Sequence, residues 1–255
     1  MPIEIVTVPC LSDNYAFLVH DNATGATAVV DAPEAGPIEA ALTQRGWTLS
    51  HIFITHHHHD HIGGVDTLRA ASNATVVGAS ADAARLPALD LAVGDGESFN
   101  FAGHDVQVMD VSGHTVGHIA FYIPDANAVF TADSLMALGC GRLFEGTADQ
   151  MWASLSKLAA LPPDTIVCSG HEYTAANARF AQTIEPDNKA LSDRAAAITK
   201  ARAANRPTVP STLAEELATN PFLRAGLSEV KDSIGMTGQD DVEVFAEIRR
   251  RKDRF

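Results

Sequence analysis

The chain has 255 residues, 46% of them hydrophobic, enough for one large domain, or a domain plus a smaller appendage, with ample core. Eighteen basic against 32 acidic residues leave a net charge of −14, so nucleic acid and anionic membrane surfaces are not expected as partners. Three widely spaced cysteines, Cys10, Cys140 and Cys168, form no CxxC pair and point to a reducing compartment rather than a disulfide framework.

The N-terminal stretch MPIEIVTVPC has neither a basic region nor a long apolar run, so no signal peptide is expected, and no apolar stretch reaches the ~20 residues of a membrane span. The expectation is a soluble, cytoplasmic protein. Short apolar runs then predict strands at 3–8, 16–19, 26–30, 52–55, 75–77, 106–111, 119–123, 128–131 and 166–168. Between them, Pro37 and Gly46 bracket a helix, and another follows Gly64 with Val65, Leu68 and Ala71 on one face. Thr147 with Gln150 is a capping box for a third, which carries Met151, Leu155 and Leu158 and is closed by Pro162. After about Tyr173 strand-like runs vanish. Leu191, Ala195 and Ile198 make an amphipathic face, Asn205–Ser211 reads as a loop, Thr212 and Glu215 form a second capping box, and Asp240 opens a last helix through Val242, Phe245 and Ile248. The chain therefore reads as an α/β domain, residues 1–172, followed by a small all-helical domain, residues 173–255.

The segment from Ile52 to Gly64 reads IFITHHHHDHIGG. An apolar strand delivers His56, His58, Asp60 and His61 into a turn, and alternation lets His56 and His58 point the same way. Imidazole and carboxylate together suit zinc, iron or manganese more than calcium or magnesium. A histidine-rich polar turn is the plain alternative, but four ordered donors between a strand and a glycine pair favour a metal site.

His-x-His-x-Asp-His after a strand resembles the signature of the metallo-β-lactamase-like superfamily, whose fold is an αββα sandwich with metals at one edge. That resemblance implies three further ligands: His114 in GHTVGH, Asp133 at the end of FTAD, and His171 in CSGHEY. It also implies a division of labour. His56, His58 and His114 hold one ion, Asp60, His61 and His171 the other, and Asp133 bridges; seven donors exceed one tetrahedral site. Such pairs lie about 3.5–4 Å apart and share a hydroxide. His118 is expected to make a structural hydrogen bond, and His20, His51, His57, His59 and His104 to lie on the surface or in loops.

The stretches FTADSLMALGCGRLFEGTADQM, GHEYT, NPFLR and IRRRKDRF resemble glyoxalase II, the hydroxyacylglutathione hydrolases, over essentially the whole chain. The resemblance implies hydrolysis of S-D-lactoylglutathione and related thioesters to D-lactate and glutathione, the second step of methylglyoxal detoxification, by hydroxide held on two metal ions, zinc first and iron or manganese next. Asp60 and Asp133 then belong to the catalytic machinery. The helical domain becomes the substrate-binding domain, in which Arg249 and Lys252, three apart on one helix face, can clamp a carboxylate, with Arg142 and Tyr173 as further contacts. The chain departs from the family pattern at Phe144, usually tyrosine, and Arg142, usually lysine, so one hydrogen bond to glutathione is lost and one cation changes shape. Cys140 is expected to be structural. The competing readings are another thioester or lactone hydrolase of the same fold, a one-iron sulfur dioxygenase, which would need fewer ligands, and a metal-storage module, which would not need the C-terminal cations. A monomer is expected.

Overall fold

A computed structural model describes residues 3–255; Met1 and Pro2 of the N-terminal stretch MPIEIVTVPC lie outside the described residues. The chain forms two compact units, residues 3–110 with 116–132, and residues 111–115 with 133–255.

The first unit carries a six-stranded sheet in chain order: β1 (Ile3–Cys10), β2 (Asn14–Asp21), β3 (Ala26–Val30), β4 (Thr48–Phe53), β5 (Thr75–Ala79) and β6 (Leu91–Val93). β1, β2 and β3 run antiparallel, and β3 to β6 are parallel: helix α1 (Ala35–Arg45) fills the β3–β4 crossover, α2 (His59–Ile62) and α3 (Val65–Ser72) that of β4–β5, and a 3-10 turn with a loop that of β5–β6. Gly46 ends α1 in the left-handed region (φ 68°), as its position in the sequence predicts. Val65 and Leu68 are the buried face of α3, while Ala71 is exposed. Strands β7 (Ser98–Phe101), β8 (His104–Asp110), β9 (Ile119–Ile123) and β10 (Ala128–Ala132) pair antiparallel. Phe53 of β4 meets Phe99, Phe101 and Phe121 at centroid distances of 5.1–5.7 Å, and Phe17 meets Phe130 at 5.8 Å, so the sheets share an aromatic core. Each ring that is fully buried contributes about 1.5–3 kcal/mol, and the partly exposed Phe99 less.

The second unit holds a two-stranded hairpin, β11 (Leu135–Met136) and β12 (Gly139–Cys140), and a short pair, β13 (Ile166–Ser169) with β14 (Ser211–Thr212). Six helices complete it: α4 (Ala148–Ala159), α5 (Thr174–Ile184), α6 (Lys189–Ala203), α7 (Leu213–Thr219), α8 (Ser228–Ser233) and α9 (Asp241–Arg254). Both predicted capping boxes form. Thr147 Oγ1 accepts from Gln150 N, Thr212 Oγ1 accepts from Glu215 N, and each N3 side chain returns a bond. Met151, Leu155 and Leu158 are fully buried on α4. Asp240 precedes α9 but makes no side-chain cap. The run 205–211 is a loop to its last residue, Ser211, which enters β14.

Candidate metal centre

In the first unit β4 ends at Phe53 and the chain runs through Ile54 and Thr55 to the histidines. His58 caps the one-turn helix α2, so Asp60 and His61 sit on a helical turn rather than in a loop. The His56 ring lies 4.8 Å from His58 and 4.3 Å from His61, and stacks on buried His118 at 4.5 Å. His118 donates through Nδ1 to the Ile119 carbonyl, 3.1 Å away, the structural bond expected of it.

Asp31 organises these rings. It sits at φ 55°, a left-handed conformation uncommon for a non-glycine residue, just beyond β3. Its Oδ1 accepts from Thr55 N (2.9 Å), and its Oδ2 accepts from Thr55 Oγ1 and His61 Nδ1, both 2.8 Å away. A carboxylate on Nδ1–H fixes the tautomer in which Nε2 carries the lone pair. Asp31, His56 and His61 have ligand-type atoms within 4.8 Å of one another, but the hydrogen bonds on Asp31 make it an orienting group rather than a donor to metal. Thr55 Oγ1 also lies 3.0 Å from His56 Nδ1. Asn14 Nδ2 donates to the Asp60 carbonyl (2.9 Å) and to Asp60 Oδ2 (3.0 Å), holding that carboxylate 3.8 Å from His61 Nε2.

In the second unit Asp133 follows β10 and Ala132, itself left-handed at φ 40°. His114 Nδ1 donates to the Arg142 carbonyl at 2.7 Å, which turns Nε2 toward Asp133 Oδ2, 3.4 Å away. His171 Nε2 lies 3.3 Å from the other oxygen, Oδ1. One carboxylate thus faces two imidazole nitrogens with separate oxygens, and all three residues are buried. Imidazole nitrogens with their other ring nitrogen fixed, beside acidic oxygens, fit divalent metal ions of the zinc and iron kind.

The residues expected to meet substrate are also in the second unit. Phe144 is exposed with its ring 5.2 Å from His114, and Tyr173, half exposed, stacks on His171 at 4.7 Å. The exposed Arg142 has Nε 3.4 Å from Asp253 Oδ1. Arg249 is buried: Nη1 donates to the Cys140 carbonyl at 2.9 Å, and Nε and Nη2 donate to Asp253 Oδ1 at 3.1 and 2.8 Å. Lys252 Nζ lies over the Phe180 and Phe255 rings at 5.2 and 5.4 Å. Burial first, then repulsion from Arg249 and Arg179, pulls the Lys252 ammonium down to about 8. Burial pushes the Cys140 thiol up to about 11 and the Cys168 thiol higher, so neither serves as a nucleophile.

Asp31, Asn14, Thr55, Asp253 and the Arg142 carbonyl do not stand out in the sequence. Asp31 had the one available signal, an acidic residue closing an apolar strand. The expected surface histidines divide. His59 is exposed, but His20 is buried in β2, stacked on Trp47 at 4.0 Å, and His51 lies in β4. His104 bonds Asp125 at 2.7 Å, and His57 bonds buried Asp82 at 2.9 Å. These rings match hydrogen-bonding partners that are remote in sequence.

Residues 12–171 match the family model described as the metallo-beta-lactamase superfamily, and residues 172–255 the model described as hydroxyacylglutathione hydrolase C-terminus. Proteins named hydroxyacylglutathione hydrolase from Ruegeria pomeroyi and Roseobacter denitrificans are 65% and 68% identical to this chain, with 100% of this chain and 100% of each relative covered. Among solved structures, ETHE1 from Myxococcus xanthus is similar with a TM-score of 0.67 and 26% identity, over 98% of this chain and 90% of that one. TTHA1623, solved in a di-iron-bound form, is similar with a TM-score of 0.63 and 25% identity, over 86% of this chain and 100% of that one.

Proposed function

The chain belongs to the hydroxyacylglutathione hydrolase family of the metallo-beta-lactamase superfamily, and we propose that it hydrolyses S-D-lactoylglutathione and related S-2-hydroxyacylglutathiones to the 2-hydroxy acid and glutathione. The enzyme is a metal-dependent thioester hydrolase with a metallo-β-lactamase-like α/β sandwich followed by a helical domain. Its donors divide as His56, His58 and His114 for one ion and Asp60, His61 and His171 for the other, with Asp133 between them. The observation that carries this reading is Asp133, whose two oxygens face His114 Nε2 and His171 Nε2 separately, so one carboxylate would serve both donor sets. Zinc is the first choice of metal, with iron and manganese next; TTHA1623 in its di-iron-bound form keeps iron in that set.

When bound, such an ion pair supplies a Lewis acid and a water acidic enough to ionise near neutral pH. The protein's own groups prepare the reaction around it. Asn14 pins Asp60 through two bonds, and Asp31 and the Arg142 carbonyl hold the tautomers of His61 and His114. Arg142 and Lys252 offer positive charge to the glutathione carboxylates, Tyr173 offers a hydroxyl beside His171, and Phe144 offers only an apolar face. Arg249 belongs to the same site through Asp253, one turn further along α9, whose carboxylate also meets Arg142. A thiolate leaves readily, so no acid is needed on the glutathione side. The same reading makes residues 1–172 the catalytic domain and 173–255 the substrate-binding domain of a cytoplasmic monomer. Among the described residues no helix is long and apolar enough to cross a membrane.

Loss of the thioester absorbance of S-D-lactoylglutathione on addition of metal-loaded protein tests the proposal. Absence of turnover by protein carrying its full metal complement would reject it.

A further inference from the structure

The helical domain contains a buried polar cluster that has no part in the ligand set. Glu216 on α7 is 0% exposed, and a buried carboxylate is costly unless its oxygens are satisfied. Its Oε2 accepts from Leu138 N (2.8 Å) and Asn220 Nδ2 (3.1 Å), and its Oε1 accepts from Ser211 Oγ (2.6 Å) and Arg194 Nη2. Such a cluster is weak evidence for stability alone, since apolar packing can often replace it. What it holds is more informative.

Leu138 is the turn of the β11–β12 hairpin, left-handed at φ 57°, and its side chain is buried among Ala178, Ala181, Leu191, Ala195 and Ile198 of α5 and α6. Asn220 Nδ2 donates to the carbonyls of Met136 (3.1 Å) and Gly139 (3.0 Å), Asn177 Nδ2 to that of Ala137 (3.0 Å), and Arg249 Nη1 to that of Cys140 (2.9 Å). Five consecutive residues, 136 to 140, therefore each have a backbone group gripped by a side chain from a helix of this domain or from Asn220, the residue that caps α7. A side chain at Gly139 would have its Cβ 2.6 Å from Asn177 Nδ2, so the hairpin is seated closely.

The two ends of that hairpin are chemically loaded. Asp133 lies just before it. Just after it lies Arg142, whose carbonyl fixes His114 and whose side chain is exposed, and Gly141 N closes the loop on the Ser134 carbonyl at 3.1 Å. We propose that Glu216 is a positioning residue: through the hairpin it sets both the tautomer and place of His114 and the reach of Arg142 toward substrate. This rests on the ligand assignment and substrate class given above.

Glu216→Gln is the direct test. The amide must place its NH2 against either Leu138 N and Asn220 or Ser211 and Arg194, so at least one donor meets a donor. Zinc retention is measured by competition with a chelator, followed by elemental analysis, alongside thermal unfolding and steady-state kinetics on S-D-lactoylglutathione. The expected result is about tenfold or greater loss of affinity at one of two metal equivalents, as is usual when a ligand's orienting partner is disturbed. KM rises as well, while kcat of fully loaded enzyme falls less. Arg224→Ala, which breaks a buried ion pair with Glu185 elsewhere in the domain, should lower the unfolding temperature and leave metal retention and KM unchanged. Should Glu216→Gln not fold, Asn177→Ala, which removes a single bond to the Ala137 carbonyl, carries the same expectation with a smaller shift. Unchanged metal retention and KM in the folded variant, or an equal loss in Arg224→Ala, would overturn the proposal. Lack of turnover by the wild type would remove the substrate assignment but leave the metal-retention result able to decide the role of Glu216.

Discussion

Replacing Asp31 by asparagine changes one atom and tests whether the donors of the first unit are oriented from behind. The carboxylate accepts three hydrogen bonds, one on Oδ1 from Thr55 N and two on Oδ2 from Thr55 Oγ1 and His61 Nδ1. An amide can keep only one side of this arrangement. With its oxygen toward His61, its NH2 faces the Thr55 N–H. With its NH2 toward His61, the ring must move its proton to Nε2, the nitrogen proposed to bind metal. The loss of a buried, charge-assisted bond costs about 1.5–3 kcal/mol. Disturbing such an orienting partner weakens metal binding about 10–100-fold, roughly 1.4–2.7 kcal/mol. Competition against a chelator of known affinity, on Asp31→Asn and wild-type protein side by side, reads the effect. Metal affinity within a factor of about two of wild type would refute the orienting role of Asp31, because even the lower bound is about tenfold.

Phe144→Tyr restores a hydroxyl beside His114 and should lower KM for S-D-lactoylglutathione by about 2–10-fold, the worth of one neutral hydrogen bond, with kcat unchanged; an unaltered KM would place the glutathione contact elsewhere. Lys252 carries its charge below about pH 8 and loses it above, so KM should rise through an inflection near that pH, and Lys252→Arg should remove the inflection. A KM that is flat from pH 7 to 9, as measured by steady-state kinetics across that range, would rule out Lys252 as the carboxylate contact. Hydrogen bonding to Asp125 raises the pKa of His104 above its ordinary 6.5, with Asp21 assisting and burial opposing. That contribution to stability is fully present below pH 6.5 and is lost as pH rises through the raised folded value, so His104→Gln should lower the unfolding temperature more at pH 5.5 than at pH 8.5. Equal losses at the two pH values would show that the pair is not charged.

The sequence made most of the fold readable where a pattern reports a local cause. Gly46 stops α1 because only an unbranched backbone readily enters the left-handed region, and the two capping boxes close as written because each is complete within four residues. Strands β6, β7, β11, β12 and β14 were not legible. β6, β11, β12 and β14 are only two or three residues long and β7 only four, too short for composition or alternation to report a strand without its partner. The proposed donors His56, His58, Asp60 and His61 were legible from their spacing, and His114, Asp133 and His171 through the family resemblance. The groups that aim them were not: Asp31 reaches His61 across 30 residues and Glu216 reaches Leu138 across 78, and no short motif records such a bond. Arg249 shows the same limit from the other side. Its charge suggests a substrate contact, but nothing in the sequence announces the bonds its three nitrogens make to the Cys140 carbonyl and Asp253.

Stepwise loading of metal-free protein with zinc, followed by elemental analysis and turnover of S-D-lactoylglutathione on the same samples, tests the two-ion thioesterase itself. Activity should climb until two equivalents per chain are bound and then stop, and Asp133→Ala should retain less than two. Saturation at one equivalent, or fully loaded protein that leaves the thioester intact, would contradict it.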